Sequence, residues 1–259
     1  MSVIDAAAMS PGAGGLDVLS AFEVAPPALV QARALQHRVD RKHLLAAGDV
    51  GPLLHRLRSG YMRLHTGPDM WTRYENTYFD SPERELYHAH RRGRRPRHKV
   101  RIRHHVDRQL SFLEIKRKEN SGRTMKLRLP LPYGQNELGS RERQFIEAHA
   151  PLEAARLVPS VSISFLRLTL VGGAVNERLT LDHELVFSAG PRTERVLRLV
   201  IAEVKQSRHA DHQGAIPALR AQHAREEALS KYCLGTILLT PVRANVFKPA
   251  LRAVERLSV

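Results

Sequence analysis

Apolar and charged residues alternate with period two through Lys99-Val100-Arg101-Ile102-Arg103, and the pattern recurs along the chain. Residues two apart on a strand share a face. Leu113-Glu114-Ile115-Lys116-Arg117-Lys118 therefore places Glu114, Lys116 and Lys118 on one side. Met125-Lys126-Leu127-Arg128-Leu129 does the same for Lys126 and Arg128, Glu177-Arg178-Leu179-Thr180-Leu181-Asp182 for Arg178 and Asp182, and Ala202-Glu203-Val204-Lys205 for Glu203 and Lys205. Each segment has one apolar face and one densely charged face. The pattern predicts strands at His37–Leu44, Trp71–Asp80, 97–106, 110–118, 123–129, Val161–Val171, Glu177–Phe187 and Val196–Lys205, with Gly172-Gly173 marking a hairpin.

Helices are expected at Val50–Leu57, from Ser81-Pro82-Glu83 to about Arg92, over Asn136–Ala148 and over Ala218–Tyr232. Asp80 and Ser81 read as a turn and helix cap. Strands dominate, connections are short, and no parallel crossover unit is evident. The fold class is α+β, an antiparallel β architecture with flanking helices. Val100, Ile102, Leu113, Ile115, Leu127, Leu179, Leu181 and Val204 require cover by helices. The charged faces must then look at one another across a solvated lumen, as in a barrel with a polar interior.

The 259 residues carry 41 Lys and Arg against 26 Asp and Glu, a formal charge of +15, which points to an anionic partner. The single cysteine, Cys233, excludes an internal disulfide framework and a Cys-based zinc site, and fits a cytoplasmic protein. No stretch approaches the roughly 20 apolar residues of a membrane-spanning helix. Residues 1–34, rich in Ala, Gly, Pro and Ser, are expected to form a flexible leader, 35–240 the folded domain, and 241–259 a C-terminal tail.

The cations pooled on the lumen faces are Lys42, Arg101, Arg103, Lys116, Lys126, Arg128, Arg167, Arg178, Lys205 and Lys231. The acids beside them are few: Asp40, Glu114, Asp182 and Glu203. Arginine forks match phosphate oxygens, lysine supplies a mobile point charge, and carboxylates hold Mg²⁺ or Mn²⁺. Such a cage suits a polyphosphate with a divalent metal. No Walker A or kinase glycine loop is present. Glu114 has two readings, a structural ion pair with Lys116 or a neighbouring arginine, and a metal ligand. Arg91-Arg92-Gly93-Arg94-Arg95-Pro96-Arg97 reads as a solvated helix end and loop, a funnel at the tunnel mouth; no helix-turn-helix or zinc pattern accompanies it, and no specific nucleic acid is expected. His88, His90, His104, His105, His209 and His212 lack a convincing set of zinc ligands. Trp71, Tyr74 and Tyr78 read as core, Cys233 as a packed thiol.

These motifs, in order, resemble the polyphosphate polymerase domain of the vacuolar transporter chaperone (VTC) family, within the CYTH-like triphosphate tunnel metalloenzymes. The resemblance runs from about Arg38 to Leu234. It rests on Arg38-Val39-Asp40-Arg41-Lys42-His43, Tyr78-Phe79-Asp80-Ser81, Lys99-Val100-Arg101-Ile102-Arg103, Glu114-Ile115-Lys116-Arg117-Lys118, Phe165-Leu166-Arg167, Glu203-Val204-Lys205 and Ser230-Lys231-Tyr232. It implies an antiparallel β tunnel that binds a nucleoside triphosphate and inorganic polyphosphate with Mn²⁺ or Mg²⁺, and an enzyme that moves the γ-phosphoryl group onto the growing chain. Matched position by position, Lys42, Arg101, Arg103, Lys116, Lys126, Arg167, Arg178 and Lys231 take phosphate, and Glu203 takes the metal. Phe165 and His43 stand where the family often has tyrosine. The resemblance does not extend to the family's eukaryotic regulatory and membrane domains and implies nothing about export. A hydrolase in the same tunnel and a non-catalytic polyphosphate-binding module are the alternatives.

Overall fold

The computed structural model describes residues 20–33, 39–65, 69–207 and 214–258. Arg38, His209, His212 and most of the expected leader lie outside these residues. Among these residues eleven strands form one antiparallel sheet: β1 (Val39–Ala46), β2 (Tyr61–Arg63), β3 (Thr72–Asp80), β4 (Arg97–His105), β5 (Leu110–Lys118), β6 (Thr124–Leu131), β7 (Val158–Gly172), β8 (Glu177–Ala189), β9 (Arg192–Val196), β10 (Leu199–Gln206) and β11 (Arg225–Glu226). Its order is β11-β1-β10-β8-β7-β3-β4-β5-β6, with β2 on β7 and β9 on β8. The helices are α1 (Pro27–Ala32), α2 (Val50–Leu57), α3 (Glu85–Arg91), α4 (Ser140–His149), α5 (Ala215–Ala221), α6 (Lys231–Leu239) and α7 (Lys248–Ser258).

The sheet curls without closing its ladder. Lys116 of β5 nevertheless comes within 4.0 Å of Asp40 on β1, although five strands separate β1 from β5 in the sheet order, so the two ends of the sheet face each other across the concave side. The alternation is realised as expected. Val100, Ile102, Leu113 and Ile115 are buried on the convex face with Ile146 of α4, and Leu179, Leu181 and Val204 with Leu53 and Leu54 of α2 and Ile216 and Leu219 of α5. Each such side chain contributes about 1.5–3 kcal/mol when fully buried.

The concave side is polar along only part of its length. At one end α6 and α7 enter it, and Tyr232, Cys233, Leu234, Ala253 and Val254 pack against Leu44, Val161, Ile163, Phe187 and Ile201. A bulge at Glu184 (φ 51°) makes this possible, because the β7–β8 register shifts there. Strict alternation from Asp182 would turn Leu185 and Phe187 to the convex face; the extra residue re-aims both into the concave core. Segment 241–259 contains α7, and Phe22 ahead of α1 is also buried.

The expected helix over Ala218–Tyr232 is corrected to two helices. After α5, His223 takes a left-handed conformation (φ 55°), and Arg225 and Glu226 pair with Leu44 and His43 of β1. Ser230 then caps a new helix, its Oγ accepting from the Cys233 N–H at 3.1 Å. Lys231 opens this helix rather than closing the previous one. The helix expected from Ser81 begins at Glu85, and Asp80 caps it by accepting from the N–H groups of Leu86 and Tyr87 at 2.8 and 2.9 Å.

Gly235 is where α6 touches the sheet. A Cβ there would lie 2.7 Å from Phe187 Cδ1 and 2.8 Å from Val161 Cγ1. Gly235→Ala is expected to destabilise the fold by about 1–3 kcal/mol through overpacking, despite alanine's better helix propensity. Denaturant unfolding checks this; an unchanged or raised midpoint would contradict the packing.

Candidate functional site: a cationic tunnel organised by three carboxylates

β-sheet register sets the site. Lys42 on β1 lies opposite Glu203 on β10, and Asp40 opposite Lys205. Arg101 on β4 lies between Tyr78 on β3 and Glu114 on β5, and Glu114 lies opposite Arg128 on β6. Arg167 on β7 pairs with Asp182 on β8. Lys231, at the first turn of α6, reaches the same aspartate.

The cations gather around three carboxylates. Glu114, 1% exposed, accepts from Arg101 Nε at 2.8 Å and Nη2 at 2.5 Å through Oε2, and from Lys126 at 2.6 Å and Arg128 at 3.0 Å through Oε1. Burial alone would raise its pKa, but the fields of Arg101, Arg103 and Lys126 push it far below the carboxylate range. Asp182, fully buried, holds Arg167 through two bonds of 2.5 and 2.7 Å and also accepts from Lys231. Its pKa is likewise driven down against burial by Arg167 and Lys231. Glu203 sits 3.3 Å from Lys205, with Lys42, Lys116 and Arg167 supplying the rest of the field that keeps it ionised against desolvation.

Aromatic rings carry several of these cations. Arg103 and Arg167 both lie 5.2 Å from the Tyr74 ring, Lys231 lies 4.8 Å from Phe165, and Arg128 lies 4.6 Å from Phe112. Tyr74 and Tyr78 thus face the tunnel as well as the core; Tyr78 Oη accepts from Arg101 at 2.8 Å. Arg103 donates to Asn76 Oδ1 at 2.7 Å, and burial together with Arg101 lowers its pKa to about 10.

Of the residues expected from sequence, Lys42, Arg101, Arg103, Lys116, Lys126, Arg128, Arg167, Lys205, Lys231, Glu114 and Glu203 line this concave face. Arg178 shares the Lys205 face by register, but its Nη2 donates to the Val30 carbonyl of α1 at 3.1 Å. Sequence reasoning omitted Lys99 from the pool. It is half-buried beside Lys42 and Lys116 and its pKa falls to about 7, chiefly through desolvation. The signal was present, since Lys99 has the same parity as Arg101 and Arg103.

Among the described residues no group of three or more His, Cys, Asp or Glu side chains is placed to hold a metal ion. The fit of a divalent metal therefore turns on single carboxylates. Both oxygens of Glu114 are engaged by cations, which favours its ion-pair reading. Glu203 has the better donor chemistry: one carboxylate, with the remaining positions left to phosphate oxygens and water, suits Mg²⁺ or Mn²⁺.

The VTC domain model matches residues 37–240 of the chain. The chain belongs to the VTC domain family. The VTC match spans every tunnel residue named above. Curated protein sequences give no match. Among solved structures, an adenylyl cyclase candidate from Hippeastrum, described as having a dominant triphosphatase activity, aligns with TM-score 0.54 and 14% identity over 78% of this chain and 96% of its own. A candidate adenylate cyclase from Bacillus halodurans aligns with TM-score 0.49 and 14% identity, over 75% and 94%. At such identities the likeness concerns the fold, and the VTC chain has the tunnel architecture of the first of these. No helix among its described residues is long and apolar enough to cross a membrane.

The carboxylate clamps predict a pH dependence. Glu114 and Asp182 have depressed pKa values when folded, so on acidification the unfolded chain binds protons first. Their stabilisation is complete above the unfolded values of 4.5 and 3.8 and is lost as pH falls below them. His105 and His183, lowered to about 3 and about 4 chiefly by burial, add to the loss because they must charge on unfolding. The melting temperature is expected to drop steeply between about pH 5 and pH 3 in calorimetry. A flat profile there would refute the clamps.

Proposed function

We propose that this VTC-domain chain is a metal-dependent polyphosphate polymerase that transfers the γ-phosphoryl group of a nucleoside triphosphate to inorganic polyphosphate. The observation that carries this reading is that Glu114, Asp182 and Glu203 are all clamped by cations and held well below ordinary carboxylate pKa values. They are poor bases for drawing a proton from water. The nucleophile best suited to this tunnel is one already ionised, such as a terminal phosphate oxygen.

Arg101, Arg103 and Arg167, preset by Glu114, Asn76 and Asp182, orient the triphosphate and offset its charge. Lys42, Lys116, Lys126, Arg128, Lys205 and Lys231 surround it and add positive charge along the phosphate chain. Glu203 would hold Mn²⁺ or Mg²⁺ together with phosphate oxygens, and the ion would supply charge neutralisation at the transferring group. The acceptor's terminal oxygen bonds to the γ-phosphorus as the bond to the β–γ bridging oxygen breaks. The nucleoside diphosphate leaves and the chain is one phosphate longer. Repulsion between two anions is the main barrier, and fixed cations lower it through positioning and electrostatics.

Incubation with ATP and Mn²⁺ or Mg²⁺, followed by separation of nucleotide, phosphate and polymer, tests the assignment. ADP with polyphosphate is expected. ADP with orthophosphate alone would make the protein a triphosphatase. Salt-sensitive polyphosphate binding with no ATP consumption would make it a binding module.

A further inference from the structure

The concave side is closed differently at its two ends. α6 and α7 fill it beside Leu185 and Phe187, towards the C-terminal end of β8. At the other end of the same strand stands Arg178, which register pairs with Lys205 and so turns to the lumen. It is met there by residues 22–33. Phe22 is buried in the convex core, and Val24 bridges Arg63 of β2. The chain then enters α1, which lays the Val30 carbonyl against Arg178 Nη2 at 3.1 Å.

Burial does little to hold α1 in place. None of its six residues is buried, and only Leu29 and Val30 are half-buried. A helix of this length is not stable by itself. Its far end is fixed by Arg33, the residue that follows it. The Arg33 guanidinium donates through Nε to the carbonyls of Gly172 and Val175, both at 3.1 Å, and through Nη2 to that of Gly173 at 2.7 Å. The β7–β8 turn is shaped for this. A Cβ at Gly172 would collide with the Val175 carbonyl, so glycine lets the turn fold tightly enough to bring three carbonyls around one guanidinium. Residues 22–33 are thus anchored in the core at one end and latched by one side chain at the other, with an unburied helix between. Such a segment opens at far lower cost than the sheet beneath it.

We propose that residues 22–33 form an autoinhibitory strap across the tunnel mouth, latched by Arg33, in which the Val30 carbonyl occupies Arg178 until an entering phosphate anion takes its place. This rests on the phosphate reading of the tunnel and adds a gate to it, because strap and anion compete for one arginine. A phosphate oxygen carries formal charge and a carbonyl oxygen only a partial one, so the anion makes the stronger bond. While the strap is closed Arg178 is withheld, and the apparent affinity is reduced by the fraction of molecules that are open.

The test measures tripolyphosphate binding to the full chain by calorimetry at fixed ionic strength. Arg33→Gln removes the latch and leaves the lumen residues as they are. It is expected to bind about ten-fold tighter, as for a native strap open about a tenth of the time. A residue that only supported the fold would weaken binding when replaced, so the sign of the change decides. Adding Arg178→Gln to Arg33→Gln is expected to cancel the gain. A second measurement needs no variant. Tripolyphosphate is expected to speed hydrogen exchange at the Val30 and Arg33 amides of the native protein, which bond to the Pro26 and Leu29 carbonyls at 3.1 and 3.0 Å in the closed strap. Unchanged or weaker binding by Arg33→Gln, or a gain that survives Arg178→Gln in full, would overturn the strap. A native protein that binds no tripolyphosphate would refute the phosphate reading of the tunnel itself. One that binds it while exchange at these two amides stays the same or slows would refute the strap alone.

Discussion

Glu203→Gln is expected to abolish metal-dependent consumption of ATP while leaving the circular dichroism spectrum and the binding of tripolyphosphate in place. The substitution keeps the side chain's shape and removes the carboxylate best placed for a divalent ion. The neighbouring Lys42, Lys116, Arg167 and Lys205 remain, so anion binding persists and becomes tighter as the competing negative charge disappears. The loss belongs in turnover. Removing a preorganised electrostatic group of this kind costs about a hundred-fold or more in rate. Full turnover with Mn²⁺ or Mg²⁺ in the variant would show that Glu203 has no part in holding the metal.

Glu114→Gln has the opposite profile, a large loss of stability that a ligand repairs. Glu114 is buried and holds Arg101, Lys126 and Arg128 at 2.5–3.0 Å. Breaking a buried charge cluster by removing one partner costs about 3–5 kcal/mol, because the remaining charges lose their counter-ion. Some of that cost is discounted here, since Arg128 and Lys126 reach solvent. Tripolyphosphate supplies the missing negative charge and is expected to raise the melting temperature of Glu114→Gln more than that of the native protein. A variant as stable as the native protein without ligand would remove Glu114 from its organising role.

The fold was legible to the extent that period-two alternation held. Lys99–Arg103, Leu113–Lys118 and Ala202–Lys205 each carried an apolar and a charged face, and the charged faces do meet on the concave side of a curled antiparallel sheet. What alternation does not carry is a bulge. The residue inserted at Glu184 reverses the facing of Leu185 and Phe187, and no signal in the local composition marks it. The split of 218–232 was hidden for another reason. Leu219, Ala221 and Ala224 read as continuous helix, yet two residues gain more by extending the sheet beside β1. The positions of the tunnel cations followed from parity. Their partners did not, because which cation shares which carboxylate depends on contacts between elements far apart in sequence, such as Lys231 of α6 and Asp182 of β8.

Helix α6 serves two ends of the molecule. Tyr232, Cys233 and Leu234 fill the apolar half of the concave face, Gly235 lies against Phe187 and Val161, and Lys231 one turn earlier grips Asp182. The amide protons of its buried turns are expected to be among the slowest to exchange, since releasing them requires opening the core. An anion that draws Lys231 towards the tunnel would be reported by those same amides, deep in the hydrocarbon interior, as slower hydrogen exchange.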